Sequence, residues 1–159
     1  MPLDLLAGQF RDTKQRIDVM TAQIKSDAEV DETARRLQTM PGIGPITASV
    51  LAATLPDVSS FRSARDLPAW LGLTPKPHSS GGKERLGSIS KMGNRYIRRL
   101  LYLGAMGVIS ARRLSEPGTD WLGRLIATKP LKVAAIALAN RMARAIWAML
   151  KRGEAWRPA

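Results

Sequence analysis

Cysteine is absent from the 159 residues, and histidine occurs once, at His78. Without thiols there is no disulfide framework and no thiolate metal site, which suits a reducing compartment. One histidine is too few to build a structural zinc site. An uninterrupted apolar run is missing too: LKVAAIALANRMARAIWAML is broken by Lys132, Arg141 and Arg144, so it does not read as a membrane span. The N-terminus, MPLDLLAGQFRDTK, mixes acids with apolar residues and lacks the basic n-region and apolar core of a signal peptide. These features predict a cytoplasmic protein with no membrane partner. Carboxylates are nowhere gathered: those of residues 1–40 are spread along helices, so a two-metal nuclease within this chain alone is not expected. No metal site and no cofactor is assigned to the chain. Internal repeats, low-complexity tracts and convincing strand alternation are lacking as well, which leaves an all-α class.

What is present is charge of one sign, unevenly placed. The net charge is +12, yet residues 1–40 carry six bases against seven acids. Residues 76–113 carry nine bases against Glu84 alone, and residues 114–159 eight against three. A basic face kept for solubility normally interleaves acids. A surplus this concentrated attracts a polyanion and predicts a nucleic-acid partner.

Hydrophobic spacing divides the chain into residues 1–30, a long helix, and residues 31–159, a helical domain. Leu6, Phe10, Thr13, Ile17, Met20 and Ile24 alternate steps of four and three, a heptad seam of under three repeats that Asp27 and Asp31 end. Such a seam fits a homodimerising coiled coil through residues 3–28 as well as it fits packing on the chain's own domain. A helix from Asp31 or Thr33 to Gln38, the turn Pro41-Gly42-Ile43-Gly44-Pro45 and a helix over Ile46–Leu55 make a helix-hairpin-helix pattern. There Gly42 and Gly44 would let backbone amides approach a phosphate, helped by the helix dipole. Ser63 with Asp66 reads as a capping box for a short helix through Trp70.

Residues 73–93 then form a long basic loop with room for a short hairpin, and loops of that length are usually functional. The helix beginning at Asn94 separates its faces: Arg95, Arg98, Arg99 and Tyr102 on one side, Ile97, Leu100, Leu101 and Val108 on the other. Lys83, Arg85, Lys91, Arg95, Arg98 and Arg99 are candidate phosphate contacts, and Asn94 at the helix head is counted with them. A shorter helix is expected from Glu116-Pro117-Gly118, and a long one from near Thr128, with Leu131, Ala135, Leu138, Met142 and Met149 on its apolar stripe. Within the loop, Ser79-Ser80 precedes Gly81-Gly82. A hydroxyl beside glycines can approach a phosphodiester, cations around it would stabilise charge on a pentacoordinate phosphorus, and His78 could take the serine proton.

At this point the residues become recognisable. PGIGPITASVLAAT, then FRSARDLPAWLGLTPKPHSSGGKERLGSISKMGNRYIRRLLYLGA, then KVAAIALANRMARAIWAML resembles the insertion sequence 110/116/902 family of transposases, in order from about Leu37 to about Leu150. The resemblance implies a C-terminal transposase domain whose loop serine joins covalently to a DNA phosphate. Aligning the Ser-Gly-Gly places that serine on Ser80, with Ser79 the alternative by a one-residue slip. It also implies DNA as partner, a guide RNA encoded by the element, and a coiled coil leading from a RuvC-like domain with four metal-binding acids. That RuvC-like domain has no counterpart in these residues, so a fragment, a truncated reading frame or a separately encoded domain is expected. The rival expectation is a non-catalytic helix-hairpin-helix module that binds DNA.

Overall fold

The computed structural model describes residues 2–77, 86–113 and 120–157, and among them the architecture is seven α-helices with one two-stranded ribbon. Helix α1 spans Pro2–Val30, as the heptad spacing predicts. Only its C-terminal part is docked: Ala28 is buried, and the helix rests on α2 (Glu32–Leu37) and α3 (Pro45–Thr54). The seam residues Leu6, Phe10, Ile17 and Met20 are left 57–70% exposed, so the chain's own domain does not cover them.

Asp31 starts α2, its carboxylate accepting the Ala34 amide at 2.9 Å. The expected capping box forms only in part: Asp66 accepts the Ser63 N–H at 2.9 Å and its hydroxyl at 3.2 Å, but Ser63 Oγ accepts the Arg65 amide at 3.3 Å, and Arg65, the residue before α4 (Asp66–Trp70), makes no side-chain cap. A 3₁₀ turn at Val58–Ser60, held by the Asp57 carboxylate accepting the Ser59 amide, precedes it.

Helices α5 (Arg95–Arg113) and α7 (Leu131–Arg152) form the centre of the core. Ile97, Leu101, Ala105 and Ile109 repeat at helical spacing and are all fully buried against Ala135, Ala139, Ala143 and Ile146. Alanines on α7 let the two helices approach closely, while Leu37, Leu51, Leu67 and Leu71 fill the space around them. Each such leucine contributes about 1.5–3 kcal/mol by leaving water. Helix α7 is long and apolar enough to cross a membrane by length and composition, but here it is the helix on which α5, α4, α6 (Trp121–Thr128) and α2 all pack. The stripe expected for it holds at Ala135, Leu138, Met142 and Met149, all buried, while Leu131 at its start is half-buried. Gly153, with φ of 67°, ends it in the left-handed conformation that glycine adopts without strain.

Candidate nucleic-acid interface

The chain leaves the core after α4 and returns at α5, and between them lies the ribbon. Strand β1 (Pro75–Pro77) pairs antiparallel with β2 (Leu86–Ile89), with Pro75 opposite Ile89 and Pro77 opposite Leu86. The two prolines offer no N–H to the ladder, so the pairing is thin. Ser80, Ser79, His78, Lys83 and Arg85 lie outside the described residues, between these strands in sequence.

The root of the ribbon is built more firmly. Gly72 and Gly93 both have positive φ, 73° and 100°, and each passes so close to the opposite limb that a side chain is impossible. A Cβ on Gly72 would overlap the Met92 carbonyl, and one on Gly93 the Trp70 carbonyl. The limbs are joined by Ser90 N–H to Thr74 O at 2.8 Å and Lys91 N–H to Gly72 O at 3.1 Å. Asn140 of α7 adds a bond from Nδ2 to Leu73 O at 3.3 Å.

Helix α5 begins at this root. The Asn94 carboxamide caps it, Oδ1 accepting the amides of Tyr96 at 2.9 Å and Ile97 at 3.1 Å. Asn94 is thereby the N-cap of the basic helix, a role its residue type favours. Lys91, Arg95 and Arg99 are exposed, and Arg95, Tyr96 and Arg99 line a surface depression on the first turns. Arg98 is placed differently from its neighbours. It is half-buried, and its Nη1 donates to Leu71 O at 2.9 Å and Gly93 O at 3.4 Å.

The two hairpin glycines also part company. Gly42 has φ of 86° and lies against Gly104 in the middle of α5; a Cβ there would come within 2.7 Å of the Gly104 carbonyl oxygen. Its lack of a side chain serves this crossing of hairpin and helix. Gly44 is exposed with open space around it, and as the residue before α3 it offers no side-chain cap to that helix's first turn.

Further along α5, Arg112 is paired with Asp120 through two hydrogen bonds, Nη1 to Oδ2 at 2.9 Å and Nη2 to Oδ1 at 2.6 Å. Asp120 also caps α6 by accepting the Gly123 amide, and that bond above all, with the Arg112 charge, holds its carboxyl below the ordinary aspartate value. Arg141 lies over the Trp121 ring at 4.8 Å. These cations are engaged by the protein itself.

Sequence reasoning missed the partners of Arg98 and Gly42. The signal available was weak: glycines at both ends of the loop, Gly72 and Gly93, and Gly104 within an otherwise good helix.

The chain belongs to the transposase IS116/IS110/IS902 family, whose model matches residues 34–117. A probable family 20 transposase of Pseudomonas aeruginosa is 40% identical over 99% of this chain and 48% of its own length. A putative transposase, y4pF/y4sB, of Sinorhizobium fredii is 40% identical over 97% of the chain and 41% of its own. The transposase for insertion sequence element IS1111A of Coxiella burnetii is 36% identical over 98% and 43%. The chain thus spans less than half the length of these relatives.

Proposed function

We propose that this chain is the strand-exchange part of an insertion-sequence transposase, which holds DNA phosphates at the base of the ribbon and attacks one of them with Ser80. The observation that carries the reading is the exposed pair Arg95 and Arg99, with Lys91, where the serine-bearing segment rejoins the core. Family membership supports the reaction class. In the step itself, Ser80 Oγ forms a bond to phosphorus as the bond from phosphorus to one deoxyribose oxygen breaks. The hydroxyl proton passes to a base, for which His78 is the candidate, and the departing oxygen takes a proton. Neighbouring guanidinium and ammonium groups stabilise the charge gathered on phosphorus. Gly44 and the uncapped start of α3 act as a helix-hairpin-helix contact to a further phosphate. A guide RNA supplies target choice, and a metal-binding domain outside these residues supplies what this chain lacks; the reaction takes place in the cytoplasm. Incubation with nicked DNA, in the presence of that domain and RNA, followed by a search for covalent protein–DNA adducts, tests the proposal. Binding without any adduct would favour the non-catalytic module.

Two further expectations arise here. With Arg98 engaged by the protein, Lys83, Arg85, Lys91, Arg95 and Arg99 remain of the six candidate phosphate contacts. Five contacts to a duplex predict a slope of log K against log salt of roughly −4 to −5. A slope near zero at neutral pH would refute the electrostatic argument. The uncovered seam on α1 predicts self-association through residues 3–28, weak because it is under three heptads long. Sedimentation of the whole chain should show a dimer at high micromolar concentration, and a chain beginning near Asp31 should not. Two monomers would make the seam a mere stripe.

A further inference from the structure

Resting on the reading of Ser80 as nucleophile, we propose that Arg98 is a positioning residue, whose guanidinium ties the two limbs of the ribbon together at their root and so aims the serine-bearing segment. The ribbon cannot orient itself. Its strands are three and four residues long with prolines at 75 and 77, and a two-stranded hairpin of that size is marginal alone. Its direction must therefore be set where it joins the core.

Arg98 is suited to set it. The side chain rises from the first turns of α5, which the Asn94 cap and the buried Ile97 and Leu101 hold in place. Nη1 reaches the Leu71 carbonyl, at the C-terminal end of α4, where helix carbonyls lack partners and a cation is favoured. The same nitrogen reaches the Gly93 carbonyl on the returning limb. One charged group thus spans both limbs beside the glycine crossing, next to the Ser90 and Lys91 amides that close it. Residues 78–85 are joined to this root at both ends, and misplacement of about 1 Å at a reacting centre can cost on the order of a hundredfold in rate.

Phosphate binding and clamping make opposite demands on a replacement. Arg98→Lys keeps the charge but ends one atom short of the Nη1 that reaches both carbonyls, and Arg98→Gln loses both the charge and the reach. Amide hydrogen exchange should be followed in the whole chain for wild type, Arg98→Lys, Arg98→Gln and Ser80→Ala. Both Arg98 variants should exchange the Ser90 and Lys91 amides about 10- to 100-fold faster, the change expected from losing one charge-assisted hydrogen bond. The Ile109 and Met142 amides in the core should keep their protection, and Arg98→Lys should bind DNA as wild type does. With the chain joined to the other half of a full-length relative, Arg98→Lys should slow adduct formation at saturating DNA, leaving the half-saturating DNA concentration unchanged. Unchanged Ser90 and Lys91 exchange in Arg98→Lys overturns the clamp. So does faster exchange with undiminished adduct formation at saturation, which reduces Arg98 to a merely structural part. Ser80→Ala should leave exchange as in wild type; if it still forms adducts, the nucleophile assignment fails while the clamp, measured separately, stands. Should Arg98→Gln fail to fold, Arg98→Lys alone decides.

Discussion

Ser80→Ala is expected to abolish recombination in a complete protein supplied with its metal domain and RNA, while fold and DNA affinity stay close to wild type. A loop hydroxyl beside Gly81 and Gly82 contributes little to a core, so the stability change should lie within about 0.5 kcal/mol. The chemistry has no such margin, because on the proposed mechanism the covalent link to phosphorus is made by the Ser80 hydroxyl. Ser79→Ala, one residue away, should retain a rate within about twofold of wild type. The contrast makes the test sharp. If Ser79→Ala is the dead variant, the loop is aligned one residue out. If Ser80→Ala recombines normally, the serine mechanism is wrong. If Ser80→Ala loses binding together with activity, the residue is structural and the non-catalytic module becomes the better account. Arg95→Ala and Arg99→Ala provide the comparison, since removing a charge-assisted phosphate contact should weaken binding and rate together.

What could be read from the sequence was whatever repeats locally. The heptad spacing predicts α1, Asp31 and the Ser63–Asp66 pair predict helix starts, and the 100° wheel places Ile97 and Leu101 inward with Arg95 and Arg99 outward. The wheel also puts Arg98 beside Arg95 and Arg99, and it says nothing of the partners that side chain finds. What distinguishes Arg98 is a pair of carbonyls, one of them at the end of α4, and a long-range contact has no period to announce it. In the sequence the ribbon shows only as room for a short hairpin, because Pro75 and Pro77 suppress the strand signal and the pairing partner lies beyond the basic residues between them. The hairpin Pro41-Gly42-Ile43-Gly44-Pro45 was legible as a turn, but not the different employment of its glycines. Gly44 faces open space, whereas Gly42 answers to Gly104, a residue that a helix pattern alone gives no cause to notice.

That crossing carries the second large effect. Gly104→Ala and Gly107→Ala make the same substitution three residues apart on α5, and they should change stability in opposite directions. By intrinsic helix propensity each gains about 0.8–1 kcal/mol, because alanine restricts the unfolded chain and completes the helix surface. At Gly107, which is exposed and has nothing within 4 Å of an added Cβ, that gain should be realised. At Gly104 the added Cβ would overlap the Gly42 carbonyl, which is backbone of a tight turn and cannot rotate aside as a side chain could. Forcing extra volume into such a contact costs about 1–3 kcal/mol, and more where backbone must shift. The clash should therefore outweigh the propensity, for a net loss of up to about 2 kcal/mol and a fall in Tm of about 2–4 °C for each kcal/mol. The displaced hairpin would also carry Gly44 and the start of α3 out of place, so DNA affinity should drop for Gly104→Ala and hold for Gly107→Ala. Thermal unfolding of the two variants beside wild type decides the matter. Equal stabilisation of both would mean that hairpin and helix do not cross at these glycines, and the placing of the hairpin beside α5 would fall with them.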